Sequence, residues 1–410
     1  MSVLVSLFKR ALVLESPWEV REVEFIETEK RLNVWIDFGS GSEFACSQCQ
    51  RLAKAYDTSQ KEYRHLNFFQ YDCYLIVRVP RVKCERDGVL QVEVPWARGS
   101  ADFTLLFESM AMSLCREMPI NKVSKIIGAD DNKLWRMLHH YVESARALED
   151  YSKTKSIGMD ETSQKKGHQY VTLVVDLEQK KTLFVGEGKG AELVRQFKED
   201  FHQHGGCVNQ VKEVSMDMSP AFIKGVRENF PSAEITFDKF HLMKVLNEAV
   251  NAVRKVEVSE YDILKKTKYV WLKNRENLTQ TQEETLKKIE SMPSMNLKTV
   301  RAMHLRENFQ QIYEQNTKEE FERSLKRWYF WATHSRIEPI RSAAKTIKSH
   351  WRGVLRWYES KINNGILEGL NSLVQATKAK ARGYRTFKNF RIIVYLITGK
   401  LNFAKVGLPT

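Results

Sequence analysis

Between Lys155 and Asp238 the hydrophobic pattern switches repeatedly between a two-residue and a 3.6-residue period, which restricts the fold more than any other feature of the chain. Three β-like runs come first, "KSIGMDE", "QYVTLVVDL" and "TLFVGEG". They are followed by a helical pattern "GAELVRQFKEDFHQHG", a run "VKEVSMD", a second helical pattern "PAFIKGVRENF" and a last run "AEITFD". This order predicts a mixed sheet flanked by helices. From about Lys239 to Ile362 nearly every stretch fits long, charged amphipathic helices, and two more helices follow around Glu368.

Upstream, residues 1–100 mix short β-like runs such as "RLNVWIDFG" and "CYLIVRVPRV" with turn residues and hold four of the six cysteines. Residues 101–148 turn helical, punctuated by Pro119 and Gly128, in the outline of a helix-turn-helix. A chain of 410 residues has room for two to four domains. The expected division is 1–100, 101–148, 149–245, 246–355 and 356–410, an α+β multidomain arrangement. "SMPSMN" at Ser291 reads as a loop.

The net charge of +14 favours a polyanionic partner, with nucleic acid foremost. No apolar run approaches the roughly 20 residues that cross a bilayer, so no membrane association is expected. The opening "MSVLVSLFKRALVLE" does not read as a signal peptide, and six cysteines then point to a reducing, cytoplasmic setting.

Three carboxylates stand out. Asp160 follows the apolar run Ser156 to Met159, and Asp217 follows "VKEVSM", with Ser219 and Pro220 fitted to cap and begin the next helix. Both belong at or near strand ends, where an α/β sheet presents its functional edge. Glu368 is the last acid of the chain. It shares a helix face with Asn371 and Ser372 and precedes eight cations, Lys378, Lys380, Arg382 and Arg385 among them. Two strand-end acids and one helix acid can hold a pair of Mg²⁺ ions for phosphodiester chemistry. Strand-end acids also serve as turn caps, and Glu161, Asp176 and Asp238 can replace any member.

Cys46 and Cys49 form a C-x-x-C pair, and Cys84 with Asp87 repeats the spacing, as tetrahedral zinc requires. Asp is uncommon in such sites, so His65 and Cys73 compete for the fourth position, and a metal-free β-module is the alternative. Cys115 reads as core and Cys207 as loop. In the third helix of residues 101–148, opened by Asp130 or Asp131, Leu134, Met137, Leu138, Tyr141 and Val142 should face inward. Asn132, Lys133, Arg136, His139 and His140 then face a DNA groove and its phosphates, or simply solvent. Trp328 to Trp331 read chiefly as buried helix packing, with stacking on splayed bases as the other use. The acid-free tail favours a DNA-facing surface.

Several of these blocks occur together and in order: "SIGMDETSQKKGHQYVTLVVDL", "VSMDMSPAF", "ITFDKFHLMK" and "NGILEGLNSLVQATKAKARGYRTFKNFRIIVYLITGKL", with "FFQYDCYLIVRVPRVKC" and "VPWARGSADFTLLFE" upstream. Over almost the whole chain they resemble the bacterial insertion-sequence transposases of the ISL-three family. The resemblance implies an N-terminal zinc-binding finger and an RNase H-like DDE domain with an all-α insertion between its second Asp and its Glu. By motif match it implies Asp160, Asp217 and Glu368 as the triad, holding two Mg²⁺ or Mn²⁺ ions. Asp238 and His241 match an Asp-x-x-His pattern that supports the site or ties the strand to the insertion. The partners implied are double-stranded DNA, as terminal inverted repeats and target, and a second copy of the chain; the setting is a bacterial, nucleoid-associated one. An RNase H-fold nuclease without strand transfer and a DNA-binding regulator with a decayed site are the rivals, and three intact acids weigh against decay.

Overall fold

In the computed structural model, which describes residues 3–163, 170–188, 190–292, 296–362 and 365–409, the chain falls into two units. One comprises Met1–Glu149 with Thr377–Thr410, the other Asp150–Ala376.

The first unit opens with a helix that the β-rich expectation did not contain, α1 (Val3–Ala11), held by its buried Val5 and Phe8. Strands β1 (Trp18–Ile26), β2 (Arg31–Phe38), β3 (Glu43–Ala45), β4 (Leu52–Arg64), β5 (Asp72–Cys84) and β6 (Gly88–Gln91) follow. They pair in the order β1-β2-β5-β4-β3, with β6 against the end of β5; only β2 and β5 run parallel. Leu32, Val34, Leu75, Val77 and Val79, all fully buried, form the centre of its core.

Helices α2 (Leu105–Glu117), α3 (Ile120–Ile127) and α4 (Asp131–Ala147) fall where the sequence predicts them. Gly128 ends α3 in the left-handed region at φ 65°, which lets the chain turn at once into α4. The Asp130 side chain caps α4 by accepting from Asn132 N and Lys133 N. Cys115 is buried on α2, as expected. The fully buried Glu108 is satisfied by Arg98 and by Tyr141, whose hydroxyl donates to it over 2.6 Å.

In the second unit the predicted order of strands and helices is met element by element: β7 (Ser156–Ser163), β8 (Tyr170–Asp176), β9 (Lys181–Glu187), α5 (Ala191–Gln203), β10 (Glu213–Met216), α6 (Pro220–Asn229) and β11 (Glu234–Phe237). The sheet is mixed. Its order is β11-β10-β7-β8-β9, with β7, β8 and β9 antiparallel and β10 and β11 parallel to β7.

Every regular element described from Lys239 to Ser360 is helical: α7 (Lys239–Glu257), α8 (Lys268–Leu272), α9 (Gln280–Glu290), α10 (Lys298–Ile312), α11 (Lys318–His334), α12 (Glu338–Ser349) and α13 (Trp351–Ser360), joined by short 3₁₀ turns. One apolar core runs from Ile157 and Val214 of the sheet through Leu246 of α7 to Phe309, Trp328 and Ile340. Two boundaries differ from the expected ones. Helix α7 crosses residue 245 unbroken, and α13 crosses residue 355 while packing on β11, because each helix continues until its apolar face is covered. The loop expected at Ser291 lies largely outside the described residues, which omit 293–295.

Helix α14 (Gly365–Lys380) carries the chain out of the second unit, and α15 (Phe387–Thr398) belongs to the first. The expected segment 356–410 is therefore divided at Thr377. Helix α15 buries Phe390, Ile392, Ile393 and Val394 and packs on α2 and α4, and Arg146 of α4 lies 4.7 Å over the Tyr395 ring. Its apolar surface needs a partner, and α2 and α4 supply it.

Candidate functional site

Strand register puts three acids in a row. The last paired residues of β7 and β10 are Gly158 and Ser215, so two steps further Asp160 stands opposite Asp217. Met216 pairs with Phe237 of β11, so one step further Asp217 stands opposite Asp238. Neighbouring strands lie about 4.8 Å apart and side chains alternate in direction, so the three carboxylates share one face and one edge. Asp160 is not at the very end of β7; the strand continues to Ser163 in partnership with β8. The open edge arises because β10 stops at Met216, which leaves Asp160 uncovered on that side.

The same face receives α14. A Cβ on Gly158 would come within 2.6 Å of Leu367, so only glycine allows the helix this close to β7. Leu367 is buried against Val175 and Leu177, and its neighbour Glu368 stands in the first turn. One turn on, Asn371 donates from Nδ2 to Asp160 Oδ2; a further turn on, Gln375 donates to Thr162 Oγ1. The i, i+3 relation keeps Glu368 and Asn371 on one helix face. Glu368 thereby comes to the same edge, where it lines a cleft of about 880 Å³ together with Asp238.

The alternatives to these acids have partners of their own, as does Asp217, which accepts from Ser219 N at 3.0 Å. Asp176 is buried and accepts from Thr154 Oγ1 and from the N–H groups of Glu178 and Gln179, the work of a turn residue. Glu161 alternates to the other face of β7, and its backbone N–H donates to Asp160 Oδ1 over 2.8 Å. Asp238 caps α7 through Phe240 N at 2.9 Å and holds His241 Nδ1 at 3.2 Å.

Burial, seconded by Asp238 and Asp217, pushes the Asp160 carboxyl above the usual range, while His241 opposes the shift. The hydrogen bond to Asp238, aided by the charges of Asp238, Asp160 and Asp217, raises His241 above its ordinary value. A site with this much gathered negative charge attracts cations, and its all-oxygen donors suit a hard ion such as Mg²⁺.

In the first unit, Cys46 and Cys49 leave the end of β3, Cys84 ends β5 and Asp87 lies in the turn to β6. Their ligand atoms all lie within 4.8 Å of one another, and among the described residues no other His, Cys, Asp or Glu group of three or more is gathered as tightly. Cys49 Sγ is 3.4 Å from Cys84 Sγ, and Asp87 Oδ2 is 3.4 Å from Cys84 Sγ and 3.6 Å from Cys46 Sγ. The Cys49 and Gln48 N–H groups point at Cys46 and lower its thiol below the ordinary value. The hydrogen bond to Asp87 instead pushes the Cys49 thiol up to about 12, so the case for a soft tetrahedral ion rests on the donor set and its closeness. The competitors lie elsewhere: His65 Nδ1 is 2.9 Å from Thr104 Oγ1, burial pushes its imidazole down to about 4, and Cys73 is buried in the β5 core.

On α4, Leu134, Met137, Leu138, Tyr141 and Val142 are buried as predicted, and Asn132, Arg136 and His140 are exposed. The outward face is shorter than expected. His139 Nε2 lies 2.9 Å from Asn389 Oδ1 of α15, and the Trp135 ring meets Tyr384. Lys133 and Arg136 both approach Asp102, at 3.0 and 3.8 Å, ion pairs exposed enough to break readily. Lys378 is half-buried, while Lys380, Arg382 and Arg385 are exposed. Of the aromatic run, Trp328 is buried and donates to Leu305 O, but Phe330 and Trp331 stay largely exposed, because a helix turns adjacent residues to different sides.

A mixed sheet with a row of acids on its open edge, a helix-turn-helix and a cysteine cluster together define a DNA-binding transposase of the DDE class. Family models match in three places: the ISL3 "Transposase" model over residues 157–394, the "Helix-turn-helix domain of transposase family ISL3" over 92–142, and the "zinc-finger of transposase IS204/IS1001/IS1096/IS1165" over 42–87. The first spans more than half of the chain, and the protein belongs to the ISL3 family of transposases. It is similar to the "Transposase for insertion sequence element IS1001" of Bordetella parapertussis, 25% identical over 84% of this chain and 86% of that one. It is also similar to the "Transposase for insertion sequence element IS1557" of Mycobacterium tuberculosis, 23% identical over 93% of each. Among the described residues no helix is long and apolar enough to cross a membrane.

The sequence had marked Asn371 only as a companion of Glu368; its bond to Asp160 became visible once α14 was placed on β7. The alternating pattern of "SIGMD" with glycine at its centre was the available signal for a helix crossing close to that strand.

Proposed function

We propose that this transposase binds the terminal inverted repeats of its own insertion sequence and cuts and joins DNA with Mg²⁺ or Mn²⁺, using Asp160, Asp217 and Glu368 as metal ligands. The observation that carries the reading is the convergence on one edge: Asp160 and Asp217 in register, with Glu368 one turn before the amide that holds Asp160. The sheet order β9-β8-β7-β10-β11 and the helical stretch between Asp217 and Glu368 support an RNase H-like domain with an all-α insertion. The corresponding division is a zinc module to about residue 100, a helix-turn-helix to 148, a catalytic sheet to Phe237, a helical insertion to Ser360, and a closing segment with Glu368.

A pair of bound ions would activate the attacking oxygen and stabilise the leaving one. The chain's own part is positional. Asn371 fixes the rotamer of Asp160, Asp238 caps α7, and His241 counters the gathered negative charge without entering the ligand set. Cys46, Cys49, Cys84 and Asp87 would hold one structural zinc. Asn132, Lys133 and Arg136 would enter a groove, Asp102 releasing the two cations to phosphate, while Lys378, Lys380, Arg382 and Arg385 bind the backbone of any duplex. Two element ends must meet, so a homodimer is the working form, in the cytoplasm and on the nucleoid.

The test is Glu368→Gln, which keeps the shape and removes the charge. Metal-dependent cleavage of a labelled duplex carrying the gene's flanking inverted repeat should fall by about three orders of magnitude or more, with the gel shift unchanged. Near-normal cleavage would remove Glu368 from the site.

A further inference from the structure

The cleft beside Glu368 is built for more than a metal-bound phosphate. Its walls combine cations, Lys239, Lys244 and Lys361, with aromatic faces, Phe240 and Trp357. Phe240 follows the Asp238 cap by two residues and is 57% exposed, which leaves a face of its ring free for stacking. The wall also carries Asn247, whose Oδ1 is buried and has no hydrogen-bond partner among the described residues. Behind Trp357 and Lys239, the ring of Tyr313 is packed with both, and its buried hydroxyl likewise has no partner. Buried polar atoms of this kind are rare unless a ligand or water completes them.

Each feature matches a different part of one ligand. Lysines suit a phosphate chain, an exposed phenyl ring suits the face of a base, and an orphaned carboxamide oxygen suits an exocyclic amino group or ring N–H. A paired base does not offer its face, so the exposed phenyl ring favours an unpaired base over a duplex. The volume, about 880 Å³, exceeds what a metal-bound phosphate alone requires.

We propose that this cleft is a subsite for unpaired nucleotides of the DNA strand adjoining the scissile phosphate, with Phe240 as the stacking platform and Asn247 as a reader of a base edge. It rests on the transposase reading for the identity of the strand, but the recognition itself needs no cleavage. The bases nearest the cut are then drawn out of the duplex before reaction, and the exposed ring gains its cover from DNA.

Fluorescence titration of the full-length protein with a labelled thymidine oligonucleotide of about eight residues tests this, beside the same oligonucleotide with abasic sugars throughout. The ratio of the two dissociation constants isolates base recognition from phosphate binding elsewhere on the chain. In the wild type the ratio should be about tenfold or more. Phe240→Ala should bring it close to one, while Phe240→Tyr preserves it. Lys244→Ala should weaken both probes alike and leave the ratio unchanged. Phe240 is exposed, so the variants should melt like the wild type. A ratio near one in the wild type, or a ratio unchanged in Phe240→Ala, would overturn the subsite. Loss of cleavage in Glu368→Gln would still stand in either case, so the two readings fail separately.

Discussion

Cys46, Cys49, Cys84 and Asp87 gather four ligand atoms within 4.8 Å, whereas the acids proposed for catalysis, Asp160, Asp217 and Glu368, are not drawn together as tightly, and Glu368 lines a cleft of about 880 Å³. The two sets are held differently. The cysteine cluster is closed by its own turns, and Gln50, which follows the first pair, takes φ 62° and Gly88, which follows the second, takes φ 81°. A structural metal site needs every position filled by protein. Asp160 is held by Asn371, on the helix that packs Leu367 over Gly158. A catalytic site must leave positions for the reacting atoms, so its ligands are oriented from behind and not enclosed.

Three experiments test this contrast. The largest effect should come from the closed site. Cys46→Ser with Cys49→Ser should abolish the expected content of about one zinc per chain and lower stability by about 4 kcal/mol at a thousandfold excess of free zinc over its dissociation constant. Metal analysis beside thermal melting reads both. A wild-type protein without zinc under reducing, chelator-free conditions would make the cluster a packing feature and dissolve the comparison.

A smaller effect should follow from loosening the open site without touching a ligand. Asn371→Ala removes the donor to Asp160, and cleavage should drop by about 10- to 100-fold with a raised Mg²⁺ requirement and unchanged DNA binding. An unchanged Mg²⁺ dependence would show that Asp160 is oriented by the strand alone.

The smallest effect concerns His241. Its folded-state value is raised by Asp238, so protonated His241 contributes stability that is fully present below the ordinary imidazole value and is lost as pH rises through the raised one. His241→Gln should therefore lower the melting temperature more at about pH 6 than at about pH 9. An equal loss at both would mean that the ring acts by packing.

Much of this protein was legible in its residues because local chemistry writes local structure. The strand and helix order from Ser156 to Phe237 followed from hydrophobic period, the start of α4 from Asp130, the start of α6 from Pro220, though the Ser219 side chain makes no capping bond, and the inward face of α4 from its 3.6-residue repeat. Asp160, Asp217 and Glu368 were nameable as members of a motif, and the pairing of two C-x-x-like knuckles was nameable from spacing. Which acids share an edge depended on the register of β7, β10 and β11, a property of pairing between residues distant in the chain. The choice of Asp87 over His65 and Cys73, the bond from Asn371 to Asp160 across 211 positions, and the return of α15 to α4 were likewise decided in three dimensions. The reason is one of range. Caps, periods and turns involve neighbours a few residues apart, so the sequence determines them alone. Contacts between distant residues form only where burial and backbone pairing have already brought their elements together, and for this protein the tertiary structure decided them.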